Sequence, residues 1–277
     1  MELYNLSCLT YDNYFANGIL VHNCFRYLKG IRYRSPENVI EEIKELNSRY
    51  NITAISFFDE CFMGDVKRTT AMCNALIKEN LDIRFTCDGR LNFAKPEILK
   101  LMKAAGCVFI NFGIESMDDL VLKNMHKSLD TKTIEEGLKN TREVGISPGI
   151  NVIFGNIGDS VETLSKGVSL TLKYHDHSYQ RTIRPVTPYP GSELYDIAIQ
   201  KGLIKDIADF YENKHKNSDL MTCNFTELTD DQFYRALYDA NTILLHDQIE
   251  FERQRYDETM KKMYFGKDVS FRGFRHT

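Results

Sequence analysis

The chain predicts an α/β protein built on a parallel sheet covered by helices, and three observations carry that expectation. From Ser35 onward, apolar runs of strand length alternate with stretches of helical period. The runs are nearly continuous in apolar character, which marks strands buried on both faces. Several helical stretches stop at a glycine set directly before apolar residues: Gly106 in "KAAGCV", Gly145 in "REVGIS" and Gly202 in "IQKGLI". Glycine just past a helix end adopts the left-handed cap that other residues resist.

Taken in order, residues 1–23 stand apart from this repeat. They read as strand, turn and strand, with Asp12-Asn13 and Asn17-Gly18 as turn signals. A composition break follows at Asn23 and Cys24. The first helix, 36–49, opens at Ser35 with Pro36 behind it. Strands are expected at 52–58, 82–87, 107–113, 149–155 and 179–186, and the intervening helices at 65–79, 96–105, 132–144, 160–174 and 192–201. Asp159, with Glu162 three residues on, marks the start of the helix at 160–174. The spacing suits a (β/α) barrel or an open doubly wound sheet. After about residue 205 the pattern becomes a charged, long-period helix ending in the basic tail "FRGFRHT". Its charged face reads as solvated surface.

Composition narrows the function classes. The 277 residues are 43% hydrophobic with a net charge of -4, which supplies no electrostatic reason for a nucleic-acid or anionic-membrane partner. No apolar run approaches a membrane span, and the start lacks the basic residues of a secretory signal, so the cytoplasm is the expected compartment. Cysteines at 8, 24, 61, 73, 87, 107 and 223 form no CxxC and are odd in number, which argues against disulfides and zinc fingers.

Chemistry in parallel α/β folds gathers beyond the carboxyl ends of the strands, where loops are free of packing duties. Polar residues cluster there: Asp59 and Glu60 after "SFF", Asp88 and Arg90 after "FTC", and Glu115 and Ser116 after "FGI". Asn156, Gly158 and Asp159 follow "IFG", and Thr187, Pro188 and Tyr189 follow "RPV". Singly, Asp59, Ser116 and Asp159 could each cap the next helix, and Arg90 could pair with Asp88 or Asp59. Together they describe a polar ligand site.

At these residues a resemblance emerges. "CFRYLKGIRYRSPENVIEEI", "ISFFDECFMGD", "CDGRLN", "VFINFGIESMDDLVLKNMHK", "NVIFGNIGDS" and "TPYPGSELYDIAIQKGLI" together resemble the radical S-adenosylmethionine enzymes, in family order, from Cys24 to about Gly202. The branch most resembled often carries a cobalamin-binding domain in front. The resemblance implies a [4Fe-4S] cluster on a CxxxCxxC motif after the first strand. It also implies S-adenosylmethionine on the open iron and reductive cleavage to a 5′-deoxyadenosyl radical, with cobalamin left open and a flavodoxin or ferredoxin as reductant. Cys24 matches the last cysteine of that motif. Asp59, Glu60, Arg90, Glu115, Ser116, Ile153 and Gly155 carry over as cofactor contacts. "FFDECF" and "GNIGDS" depart from the more usual Gly-Gly-Glu-Pro-like and "GLPGET" forms, although Gly155 and Gly158 are kept.

Residues 1–23 followed by Cys24 resemble the C-terminal end of an intein, most specifically in "NGILVHNC". That resemblance implies that Asn23 cyclises and breaks its bond to Cys24, that His22 assists as an acid, and that Cys24 supplies the receiving thiol. Cys24 would then be both splicing nucleophile and cluster ligand.

The expected architecture has three parts: an intein segment 1–23, an incomplete radical S-adenosylmethionine core 24–204 and a helical extension 205–277. The core is a partial (β/α) TIM-like barrel lacking its first strand. An upstream partner would supply that strand, the remaining cluster cysteines and the rest of the intein, and the isolated chain would hold no stable cluster. Two alternatives stay open: an autoprocessing module fused to a silent barrel, and a (β/α) barrel lyase or hydrolase using Asp59, Arg90 and Glu115 without iron.

Overall fold

A computed structural model describes residues 13–16, 19–22, 33–59, 61–267 and 269. Strands β1 (Asn13–Ala16) and β2 (Ile19–His22) pair antiparallel, with Asn13 opposite His22 and Ala16 opposite Ile19. Helix α1 (Pro36–Tyr50) begins where expected: Ser35 Oγ accepts the Asn38 amide at 3.2 Å, and Pro36 occupies the first turn, where no N–H is needed.

The repeat then runs β3 (Ala54–Phe57), α2 (Val66–Glu79), β4 (Arg84–Gly89), α3 (Pro96–Ala104), β5 (Cys107–Glu115), α4 (Asp119–Asn124), α5 (Thr131–Glu143), β6 (Ser147–Phe154), α6 (Val161–Tyr174), β7 (Arg184–Pro185) and α7 (Glu193–Gln200). A short turn α8 (Ile207–Asp209) and the long α9 (Asp230–Tyr264) complete it. Gly106, Gly145 and Gly202 all take positive φ, of 100°, 78° and 68°, as helix-terminating glycines should.

Among the described residues, five strands form the main sheet, all parallel, in the order β3-β4-β5-β6-β7. Doubly wound sheets reverse strand order at a switch point. Here the order never reverses, so every crossover advances to the next strand and the sheet curls as part of a (β/α) barrel.

Period-2 alternation divides each strand between two environments. Phe85, Cys87, Ile110, Phe112, Ile114, Ile150, Val152 and Phe154 are buried with Met72, Leu76, Leu99, Met102, Ile134, Leu138 and Leu164 of the helices. Each fully buried large apolar side chain stabilises the fold by about 1.5–3 kcal/mol. The alternate residues, among them Thr86, Asp88, Asn111, Asn151 and Ile153, are only partly buried and belong to the concave face. Helix α9 joins the same core through Phe233, Ala236, Leu237, Ala240 and Leu244.

Two local expectations need correction. Residues 179–183 are not strand, and β7 is confined to Arg184 and Pro185; Arg181 instead reaches across the concave face. Asp159 does not cap α6. Ser160 does, in a reciprocal capping box with Thr163.

Candidate active site

The strands deliver their carboxyl ends to one edge of the sheet. Asp59 lies two residues beyond β3, and Arg90 directly follows β4. Glu115 is the last residue of β5, with Ser116 next to it, while Ile153 lies in β6 and Gly155 just past it. Glu60, Asn23 and Cys24 lie outside the described residues, as does the His22 side chain. Asp59 and Ser116 are not helix caps: Asp65 caps α2 and Asp118 caps α4.

Glu115 and Arg90 are tied together through Lys127. The Lys127 ammonium donates to Glu115 Oε1 at 2.7 Å, and Arg90 Nη2 donates to the Lys127 carbonyl at 2.7 Å. Glu115 takes φ 70° beside a register shift at Gly113, an uncommon conformation for a residue with a side chain. Its carboxylate folds back over Gly113, where a β-carbon would lie 2.6 Å from Oε1. Ser116 is buried.

Asp59 belongs to a second charged group. Its Oδ1 is 3.6 Å from Arg68 Nη2, and the Arg68 guanidinium lies 4.5 Å from the Tyr33 ring centroid. Arg68 Nε and Nη1 are buried without hydrogen-bond partners among the described residues. Buried polar groups ordinarily find partners, so these two donors mark a place suited to an anion.

The loop after β6 is closed by Asp159. Its Oδ2 accepts from the amides of Gly155 (3.0 Å) and Asn156 (2.9 Å), and its Oδ1 from the Thr163 hydroxyl (2.7 Å). Burial pushes the Asp159 carboxyl above its ordinary pKa, against the opposing pull of these donors. Gly155 has φ 102°, and a β-carbon there would lie 2.7 Å from Phe233 of α9.

Below this rim, a polar row crosses the concave face. Asn111 Nδ2 donates to Asp88 Oδ1 at 2.8 Å, and Asn151 Nδ2 donates to Asn111 Oδ1 at 3.0 Å. Arg181 donates to Asn151 Oδ1 at 3.0 Å and to Asn111 Oδ1 at 3.2 Å. Gly149 leaves room for that meeting, since a β-carbon would lie 2.7 Å from both Arg181 Nη2 and Asn111 Oδ1. A cavity of about 220 Å³ sits against this row, lined by Ser56, Thr86, Asp88, Phe109, Asn111 and Arg181 together with Phe57, Phe58 and Cys87.

A family model described as the Radical SAM superfamily matches residues 13–168, more than half of the chain. The chain belongs to the Radical SAM superfamily. An uncharacterized methyltransferase of Pyrococcus horikoshii is 29% identical over 188 residues, covering 68% of this chain and 40% of that protein. Hopanoid C-2 methylase of Rhodopseudomonas palustris is 31% identical over 204 residues, covering 70% and 37%. The chain thus spans about two-fifths of the length of these relatives. Coproporphyrinogen III oxidase of Escherichia coli, a radical SAM enzyme, shares the fold with a TM-score of 0.50 at 15% identity, over 78% of this chain and 48% of its own.

Members of the superfamily use a [4Fe-4S] cluster and S-adenosylmethionine (SAM), and the described residues suit the two differently. Cluster ligands are thiolates. Cys73, Cys87 and Cys107 are packed in the core between strands and helices, Cys223 lies in a separate buried cluster and Cys61 is partly buried, so no three of the described cysteines line a space that a cluster and SAM could enter. The amino-acid end of SAM fits better. Its ammonium calls for acceptors such as Asp59 and Glu115, and its carboxylate for donors such as Arg90 and the unpartnered N–H groups of Arg68.

The alternation of "VFINFGIE" and "GINVIF" places Asn111 with Glu115 and Asn151 with Ile153, and that period was the available signal for the polar row. Nothing local marked Lys127, Arg68 or Arg181.

Proposed function

We propose that this chain is the SAM-binding and substrate-enclosing portion of a radical SAM enzyme, with methyl transfer as its reaction class. The observation that carries the reading is the concave polar row beneath a rim bearing Asp59, Arg68, Arg90 and Glu115. Acceptors and donors at the rim suit the charged end of SAM, while the row below suits a polar substrate. The names of the two relatives, a methyltransferase and a methylase, support the reaction class. The cluster, when bound, supplies the electron that cleaves SAM. Cys24 would hold it together with thiolates from an upstream segment, fed by a flavodoxin or ferredoxin, and cobalamin would serve as methyl carrier.

In this chain's own chemistry, Glu115 accepts from the SAM ammonium, Lys127 holds that carboxylate in place, and Arg68 neutralises the SAM carboxylate. The test is SAM binding to the chain joined to its upstream part and reconstituted anaerobically. Glu115→Gln and Arg68→Met should each weaken binding about tenfold, or about 1.4 kcal/mol. Unchanged affinity in the double variant would remove the site. Absence of stoichiometric iron and sulfide in the reconstituted protein would favour the iron-free barrel or a silent one.

A second proposal concerns maturation. "NGILVHNC" supports splicing at Asn23/Cys24, and β2 ends at His22, immediately before the junction. The Asn23 side-chain nitrogen attacks its own carbonyl carbon and closes a succinimide as the bond to Cys24 breaks. His22 gives a proton to the departing amine. The family match begins at Asn13, inside this segment, which favours the competing reading of a hairpin native to the enzyme. Mass spectrometry separates the two. Asn23→Ala should abolish release of a fragment starting at Cys24, and His22→Ala should slow it by about 10²–10⁴-fold. Release from the Asn23→Ala protein would leave only the hairpin.

A further inference from the structure

Far from the rim, at the amino ends of the strands, His175 and His177 meet Asp247. His175 terminates α6, Asp247 lies on α9, and the intervening Asp176 accepts from Ser147, the first residue of β6, at 2.9 Å. The Nε2 atoms of both histidines lie 2.8 Å from Asp247 Oδ2, and one donor atom from each of the three residues falls within 4.8 Å of the others.

Only His177 is aligned for a hydrogen bond to that carboxylate. His175 Nε2 is buried without an aligned partner among the described residues, and its side chain is only 9% exposed. Its ring nitrogen therefore points past the oxygen beside it. The surroundings hold the three groups in place. The His177 ring stacks on Phe251 at 4.1 Å and 6°, and its backbone takes φ 59°, a left-handed conformation that a side chain disfavours. Gln248 Nε2 donates to the His177 carbonyl at 3.2 Å, and Gln248 Oε1 is buried without a partner among the described residues.

We propose that His175, His177 and Asp247 form a binding site for a divalent transition-metal ion, Zn²⁺ by preference, that pins α9 to the barrel. Two imidazoles and one carboxylate form a donor set of borderline softness, suited to Zn²⁺ rather than to Mg²⁺ or Ca²⁺, which take oxygen. Tetrahedral bonds of about 2.0–2.1 Å separate donor atoms by about 3.3 Å. Each imidazole therefore parts from the carboxylate oxygen by about 0.5 Å, well within a side-chain rotation. Water completes the fourth position. The ligands come from the α6–β7 connection and from α9, about 70 residues apart, so the ion adds a cross-link to two segments already joined by the Gln248–His177 and Asn241–Ile183 hydrogen bonds.

The test uses the full chain, stripped with chelator and handled anaerobically. Zn²⁺ titration should show one equivalent that is retained in Cys24→Ser and weakened more than about 10–100-fold, the loss that outer-sphere substitutions already cause, in His177→Ala and Asp247→Asn. Zn²⁺ should raise the Tm of the wild type and of Cys24→Ser but not of the ligand variants. Co²⁺ should give ligand-field bands without thiolate charge transfer. X-ray absorption of the Zn²⁺-loaded wild type should report nitrogen and oxygen ligands with imidazole scattering, which decides the matter even where a variant fails to fold. Sulfur scattering, unaltered binding in both ligand variants, or no binding at all would overturn the site.

Discussion

Gly155→Ala tests whether the loop after β6 is shaped by packing as much as by any cofactor. Two penalties act at this position. The backbone sits at φ 102°, where a β-carbon costs about 1–2 kcal/mol. The new methyl would lie 2.7 Å from Phe233 Cε2 and 3.0 Å from Cζ, inside normal contact, and overpacking of this kind costs about 1–3 kcal/mol. Phe233 is fully buried and stacks on Phe154 at 4.7 Å, so it has little freedom to retreat. The sum is about 3 kcal/mol, corresponding to a fall in Tm of about 6–12 °C for a domain of this size. Urea denaturation of the wild type, Gly155→Ala, Phe233→Leu and the double variant apportions the two parts. The smaller Leu should recover the steric share and leave the backbone share, giving a coupling energy of about 1–2 kcal/mol in the cycle. A loss below about 0.5 kcal/mol for Gly155→Ala, within the range of a surface change, would refute the reasoning.

Three further outcomes follow from the same geometry. Gly149→Ala should destabilise by about 1–3 kcal/mol through overpacking, first against the Phe109 ring and then against Arg181 and Asn111, and a Phe109→Leu background should relieve part of that loss in a thermal melt. Asp159 has a folded pKa raised above its unfolded value, so its stabilising contribution is full below the ordinary carboxylate value and is lost as pH rises through the folded pKa. The stability of the wild type relative to Asp159→Asn, measured by denaturant titration across that window, should therefore decline with increasing pH; a rise would reverse the assigned sign. Lys127→Met should leave Glu115 without its ammonium partner and cost about 1–3 kcal/mol in chemical denaturation, because both side chains are largely buried, at 21% and 19% exposed.

Much of the fold is legible in local chemistry. Ser35 with Pro36 starts α1, and Gly106, Gly145 and Gly202 end helices at positive φ, because caps depend on a few adjacent residues and on whether a β-carbon is present. The apolar runs found β3 to β6 within a few residues, since the helix-facing side of each strand must be apolar to join the core. Where the signal is tertiary, the reading slipped. "YQRTIRPV" has strand composition, yet only Arg184 and Pro185 pair with β6, and Arg181 is drawn into the polar row instead. Helix α4 is too short for its period to show. Asp159 and Ser160 are adjacent polar residues that each suit a cap; the buried Gly155 and Asn156 amides claim Asp159, leaving the cap to Ser160.

By itself, the sequence determined which residues lie at the strand ends, because strand phase and helix caps are local, and the order of its motifs carried the family resemblance. Tertiary structure alone decided which of those residues meet. Arg90 and Glu115 are joined through Lys127, while Asp59 turns to Arg68. Asn111 meets Arg181 across 70 residues, as His177 meets Asp247. No periodicity encodes a contact of that span, because it depends on how far the sheet curls and where α9 docks on the barrel, and many distant side chains set both together.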